Sequence, residues 1–307
     1  MRGELRSAPH FYIDICMQIY QPENHPYSNL MVDVTHRCNM ECSNCYLPNR
    51  DIPDMDVNKL YESVDKLPRK TFIRLIGAEP TMRDDIFDII STLKRKGHHV
   101  SLTTNGVKLA HEPYVKKLKN AGLRLVLLSM NGADEDDVYK ILDEGKWATA
   151  KTRALKNLMK HNMIINTGTI IAKGVNEHTI HRQINMFQEY MVETNYNPKI
   201  KPVLRFRTIG EIGRYMEDST IEYDEFINIA ANQLEVTADY IRNNNAKALN
   251  NTHGLIFEYK NMLIRLVDWS ADEDGIPDSN SQYRGRFTED FKVAPFFEHV
   301  KENEFGY

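Results

Sequence analysis

The chain has 307 residues, with 39 Lys and Arg against 43 Asp and Glu and a formal charge of -4, so it carries no global basic footprint for nucleic acid or an anionic membrane. No apolar run is long enough to span a bilayer and the N-terminus lacks a secretory pattern, so a cytoplasmic protein is expected. Three of the four cysteines fall between positions 38 and 45, which suits a metal site in a reducing compartment better than a disulfide framework.

In chain order, residues 11–20 alternate as a strand does, with Cys16 as a buried small residue, and residues 21–29 form a Pro- and Asn-rich connection. Residues 30–34 give the first core strand, and the cysteine loop leaves its C-terminal end. A helix over 57–67 leads to a strand over 71–76 that stops at Gly77-Ala78-Glu79-Pro80. The next units are a helix at 84–95, a strand at 100–103 ending in Thr104-Asn105-Gly106, a helix at 112–120 and an almost wholly apolar strand at 123–128. A helix over 145–161, a strand over 163–171, a helix over 179–191, a strand over 202–209 and a helical region over 220–243 complete six βα units. That alternation predicts an α/β fold, a partial (β/α)6 TIM-like barrel. Residues 254–259 and 262–268 flank Lys260-Asn261 as a hairpin, and the acidic, aperiodic stretch 270–286 reads as a loop or lid. The expected organisation is an N-terminal extension over 1–29, the barrel over 30–243 and a substrate-covering extension over 244–307.

Cys38, Cys42 and Cys45 stand in a Cys-x3-Cys-x2-Cys pattern, and thiolates so spaced can surround one soft metal centre. A tetrahedral zinc site needs a fourth protein ligand, so His36 or a distant histidine would have to complete it. A [4Fe–4S] cluster on three cysteines instead leaves one iron open to an exogenous ligand. The spacing, followed by Tyr46, resembles the radical S-adenosylmethionine superfamily, in which the open iron takes the amino and carboxylate groups of the methionine moiety.

This resemblance implies roles for the other strand ends. Gly77-Ala78-Glu79-Pro80 looks like the family's Gly-Gly-Glu-Pro motif, which binds the methionine amino group; Ala78 replaces the second glycine and implies a slightly different turn. Thr104 and Asn105 match the segment lining the cofactor cleft. Ser129 and Asn131 match the contacts to cofactor hydroxyls or carboxylate, with a local turn cap as the competing account. Asn166 and Ile170 match the region around the adenine, and Tyr46 the aromatic beside it. Arg205 and Arg207, two apart on one strand, face the same way and, with Glu211, suit either anion binding or an ion-pair network. Arg205 is assigned to the cofactor; Arg74, Arg207, Glu211, Arg265 and Asp268 are assigned to the substrate.

The activity implied is reductive cleavage of S-adenosylmethionine by a single [4Fe–4S] cluster, since no cysteine follows Cys45, with the electron supplied by a flavodoxin- or ferredoxin-type donor. The radical then takes a hydrogen from a small polar metabolite, a nucleotide, sugar or amino-acid derivative, leading to rearrangement, cyclisation or oxidation. A ribosomal peptide is the alternative substrate, although the 29 residues before the first core strand are too few for a leader-binding domain. A zinc-stabilised interaction module is the non-enzymatic alternative, and nucleic acid is not an expected partner.

Overall fold

The computed structural model describes residues 19–210, 213–214, 216–246, 254–269 and 284–296. The expected strand over 11–20, apart from its last two residues, therefore lies outside the described residues, as do Cys16, Glu211 and the lid-like stretch over 270–283.

Strands β1 (Asn29–Asp33), β2 (Phe72–Ile76), β3 (His99–Thr104), β4 (Leu125–Ser129), β5 (Ile164–Ile170) and β6 (Val203–Arg207) pair in sequence order, all parallel. Helices α1 (Val57–Asp65), α2 (Ile86–Arg95), α3 (Glu112–Asn120), α5 (Ala148–Lys160) and α6 (Thr179–Glu193) connect them, and α7 (Tyr223–Gln233) and α8 (Ala238–Asn243) follow β6. The helices sit where apolar periodicity puts them. In α2, Ile86, Ile89, Ile90 and Leu93 recur at helical spacing and are all fully buried against the sheet. Asp56 caps α1 by accepting from the Asn58 and Lys59 amides. A short helix, α4 (Asp136–Leu142), was not anticipated, because seven residues hold too little periodicity to stand out.

After α8, β7 (Leu255–Tyr259) and β8 (Met262–Val267) form the expected hairpin, with Lys260 and Asn261 both at positive φ (48° and 62°), as a type I′ turn requires. The sheet then departs from the six-strand expectation. β8 pairs parallel with β6, while β9 (Arg284–Phe287) pairs parallel with β1. Arg284–Phe287, read from its aperiodic surroundings as partly loop, is thus a strand. Eight neighbouring strands, β9, β1 to β6 and β8, run parallel, and antiparallel β7 and β10 (Val293–Pro295) form the edges of one ten-stranded, unclosed sheet. The cysteine loop, Gly77-Ala78-Glu79-Pro80, Thr104-Asn105-Gly106 and Ser129 to Asn131 lie at or just beyond the C-terminal ends of β1 to β4, where a barrel of this class places its chemistry.

Candidate active site

The cysteine loop is pinned from several sides. Val34 donates to the Ile76 carbonyl at 3.0 Å, while Thr35 Oγ1 and the Arg37 guanidinium both bind the Asp54 carboxylate, Arg37 Nη2 at 2.6 Å. Arg83 Nη1 donates to the carbonyls of Val34 (2.8 Å) and Met55 (3.0 Å). Ser43 ties the middle of the loop to α4 through the carbonyls of Leu142 (3.0 Å) and Ile141 (2.6 Å), and Arg214 donates its amide to the Cys45 carbonyl at 2.9 Å. All three cysteines are free thiols on the wall of one cavity, about 1260 Å³ including its open mouth.

The donor set fits a cluster better than a single ion. Among the described residues no three His, Cys, Asp or Glu side chains gather to hold one metal ion. His36, which a zinc site would enlist, has Nδ1 3.3 Å from the Asn49 carbonyl oxygen and lines a different cavity. Burial pushes the Cys38 and Cys42 thiols up, for Cys42 with help from the nearby Asp143 charge, so the thiolates wait on a cation to stabilise them. One cation is already there: Arg50 Nη2 donates to Cys45 Sγ at 3.5 Å. Asn105 Nδ2 lies 3.9 Å from Cys38 Sγ, within reach of a weak sulfur hydrogen bond.

At the end of β2, Gly77 adopts φ +124°, and a Cβ there would lie 2.2 Å from the Thr35 carbonyl oxygen. Ala78 is not at positive φ, so the alanine fits the turn with no loss of conformational access. Both residues line the cavity; Glu79 does not. Its carboxylate is fully buried and accepts from Thr81 N (3.0 Å), Thr81 Oγ1 (2.6 Å), Thr104 Oγ1 (2.8 Å) and Asn105 N (2.6 Å). Glu79 is therefore a strap joining the ends of β2 and β3, and the Thr104 hydroxyl expected at the cofactor is spent on it.

Ser129, Asn131 and Ile170 line the cavity, but the Asn131 side chain is occupied: Nδ2 donates to Asp143 Oδ1 (2.9 Å) and Oδ1 accepts the Ile170 amide (3.1 Å). Buried Asp143 and Lys151, which the sequence reading missed, also face the cavity. Lys151 Nζ donates to the Ser129 carbonyl at 3.0 Å and lies 3.9 Å from Asp143 Oδ2. Asn166 is on the same strand face as Gly168 and Ile170 but lies outside the cavity lining. Tyr46 lines the cavity, and burial raises its phenol well above the ordinary range.

Arg74, Arg205 and Arg207 line the same cavity. Arg265 stands in register beside Arg205 but behind the lining, and Asp268 accepts from Thr208 Oγ1 at 3.3 Å outside it. Trp269 and Arg284, not singled out from the sequence, contribute to the wall, with the Arg207 guanidinium 3.6 Å from the Trp269 ring centre.

Residues 32–186 match the family described as the Radical SAM superfamily. The chain is 27% identical over 228 residues to 7,8-dihydro-6-hydroxymethylpterin dimethyltransferase of Methanocaldococcus jannaschii, a match covering 69% of this chain and 43% of that protein. It is 27% identical over 219 residues to GTP 3′,8-cyclase of Clostridium botulinum, covering 68% of this chain and 66% of the cyclase. Streptococcus suis SuiB bound to precursor peptide SuiA has a similar fold, with a TM-score of 0.58 at 14% identity over 92% of this chain and 63% of SuiB. The matches thus span between 43% and 66% of these relatives' own lengths. A family match over half the chain, on a parallel open barrel with three thiols at its head, shows that the chain belongs to the radical S-adenosylmethionine superfamily, whose enzymes use a [4Fe–4S] cluster and S-adenosylmethionine.

Proposed function

We propose that the protein removes a hydrogen atom from a small anionic metabolite held inside the barrel, below a single cluster carried by Cys38, Cys42 and Cys45. The supporting observation is the cavity itself, which runs from the three thiols to a wall of arginine side chains on β2 and β6. When bound and reduced, the cluster and S-adenosylmethionine supply a 5′-deoxyadenosyl radical. The chain's own residues bind, orient and exclude water. The peptide groups of Gly77 and Ala78 line the cavity and would bind the methionine ammonium, and Lys151 beside Ser129 would offer its charge to the carboxylate. Tyr46 and Ile170 form apolar walls for the adenine. Asn105, fixed by Glu79 and Asn39, holds the Cys38 side of the loop in place.

The names of two relatives, a GTP cyclase and a hydroxymethylpterin dimethyltransferase, specify small-molecule substrates, which agrees with this reading over a peptide one. The cluster at Cys38, Cys42 and Cys45 would take its electron from an external flavodoxin- or ferredoxin-type reductant.

The test is anaerobic reconstitution followed by incubation with S-adenosylmethionine, reductant and deuterated candidate metabolites. The reading expects four irons per chain and transfer of deuterium into 5′-deoxyadenosine, both lost in Cys42→Ala. Retained cleavage in that variant, or zinc in place of iron, would refute it.

A further inference from the structure

The barrel interior holds more positive charge than the described residues balance. The charges acting on Arg205 are those of Arg207, Arg265, Arg74 and Arg284, all positive. Arg74 feels Arg265 across the interior. Among the described residues no carboxylate pairs with Arg74, Arg205, Arg207 or Arg265. Each keeps a buried guanidinium nitrogen with no hydrogen-bond partner: Nε of Arg74, Arg205 and Arg265, and Nη1 of Arg207. Arg74, Arg205 and Arg207 line the cavity and keep part of their surface open, so an incoming ligand can reach them, while Arg265 stands beside Arg205 behind that lining.

This arrangement works against stability. Cations enclosed without partners are destabilising even before their mutual repulsion is counted. Burial and the Arg265 charge push Arg74 down to about 10, and burial takes Arg207 to about 9, both still above neutrality. The Arg74 and Arg207 guanidinium groups therefore stay charged at pH 7. Local details favour keeping them in place. Gly168 sits opposite Arg205 in the register, and a Cβ there would come within 3.3 Å of Arg205 Nη2, so the missing side chain makes room for the guanidinium. Trp269 stacks on Arg207 and holds its plane.

The cofactors do not account for this charge. S-adenosylmethionine has one carboxylate, for which Lys151 stands ready, and the thiolates have Arg50. We propose that Arg74, Arg205 and Arg207, with the charge of Arg265 behind them, form a subsite for the di- or triphosphate group of the substrate. The assignment rests on reading the barrel as a substrate chamber. Two or three linked phosphates carry about three or four negative charges in a compact array and present oxygens that planar guanidinium forks bind in pairs. A lone carboxylate would leave most of the four cations unbalanced.

The test uses the anaerobically reconstituted full chain and inorganic probes. Calorimetric titration with tripolyphosphate, pyrophosphate, orthophosphate and citrate should give a dissociation constant for tripolyphosphate at least ten times lower than for orthophosphate or citrate. Arg74→Met and Arg205→Met should each raise the melting temperature of the ligand-free protein, because an unbalanced buried cation is gone, and should abolish the further rise caused by tripolyphosphate. Arg265→Lys, which keeps a charge, should retain part of that rise. The subsite is overturned if tripolyphosphate binds no better than orthophosphate or citrate, if the Met variants bind it unchanged, or if they melt lower, as a structural arginine would. Formation of 5′-deoxyadenosine on the same samples separates the two readings. Cleavage without tripolyphosphate binding sinks the subsite alone; tripolyphosphate binding without cleavage supports the subsite and sinks the radical reading.

Discussion

Gly77 passes so close to Thr35 that the Thr35 carbonyl oxygen lies 2.2 Å from where a Cβ on residue 77 would stand. The contact locks the β2 turn beneath the cysteine loop, and the amide of Ala78 donates to the same carbonyl at 3.0 Å. Gly77→Ala should lose about 1–3 kcal/mol from backbone strain alone and should fail to hold iron after reconstitution. Ala78→Gly, at a position already compatible with alanine, should lose only about 0.4–1 kcal/mol. Urea unfolding and iron content check both; equal effects would contradict the assigned turn.

Glu79 acts through its four hydrogen bonds to Thr81, Thr104 and Asn105. Glu79→Gln puts an amide donor against groups that already donate and should cost on the order of 2 kcal/mol. S-adenosylmethionine affinity should fall with it, because Asn105 and the β2 turn lose their common anchor. Full retention of stability would show that the strap carries no strain.

Arg50 places a positive charge and a hydrogen bond on Cys45 Sγ. Hydrogen bonds to cluster sulfurs raise reduction potential. Arg50→Met should therefore lower the cluster potential, on the order of 50–100 mV for one charge-assisted bond. A redox titration followed by electron paramagnetic resonance measures it, and a potential that rises or stays put counts against the contact.

Lys151 and Asp143 are both nearly fully buried, 3.9 Å apart, and Asp143 Oδ2 has no hydrogen-bond partner. Lys151→Met strands the carboxylate and should cost on the order of 3 kcal/mol. The Lys151→Met/Asp143→Asn pair should recover part of that loss, whereas additive losses in a thermal double-mutant cycle would show the two to be independent.

His25 sets a pH dependence away from the active site. Burial, with the nearby Arg69 charge, lowers its pKa from 6.5 to about 4; Nδ1 accepts from the Tyr27 amide, and the ring stacks on Tyr27. Between those two values the unfolded chain binds the proton and the folded one does not, so stability rises with pH through that window. The contribution is fully present above pH 6.5 and is lost as pH falls toward 4, with an upper bound of about 3 kcal/mol. His25→Gln should flatten this part of the urea-stability profile between pH 4 and 6.5.

Much of the barrel and of the cysteine site could be read from the sequence because both depend on local pattern. Alternation of apolar strands with amphipathic helices sets the parallel sheet, and Cys38, Cys42 and Cys45 lie close enough in the chain that spacing alone brings them to one loop. The positive-φ turn at Lys260-Asn261 is equally local. The short helix α4 and strand β9 escaped because four to seven residues carry little periodicity and β9 takes its identity from pairing with β1, some 250 residues away. Which way each side chain is used was decided only by packing between strand ends far apart in sequence. Glu79 lies beneath the cavity floor because its four donors come from Thr81, Thr104 and Asn105, and the Asn131 amide is consumed by Asp143 and Ile170. Arg205 and Arg265 become neighbours through the β6–β8 register, and neither has a carboxylate partner among the described residues. The sequence alone thus determined that three thiols gather on one loop, and its resemblance to a known family implied the cofactor chemistry, while the tertiary structure decided where unbalanced charge collects, which depends on every residue facing the barrel.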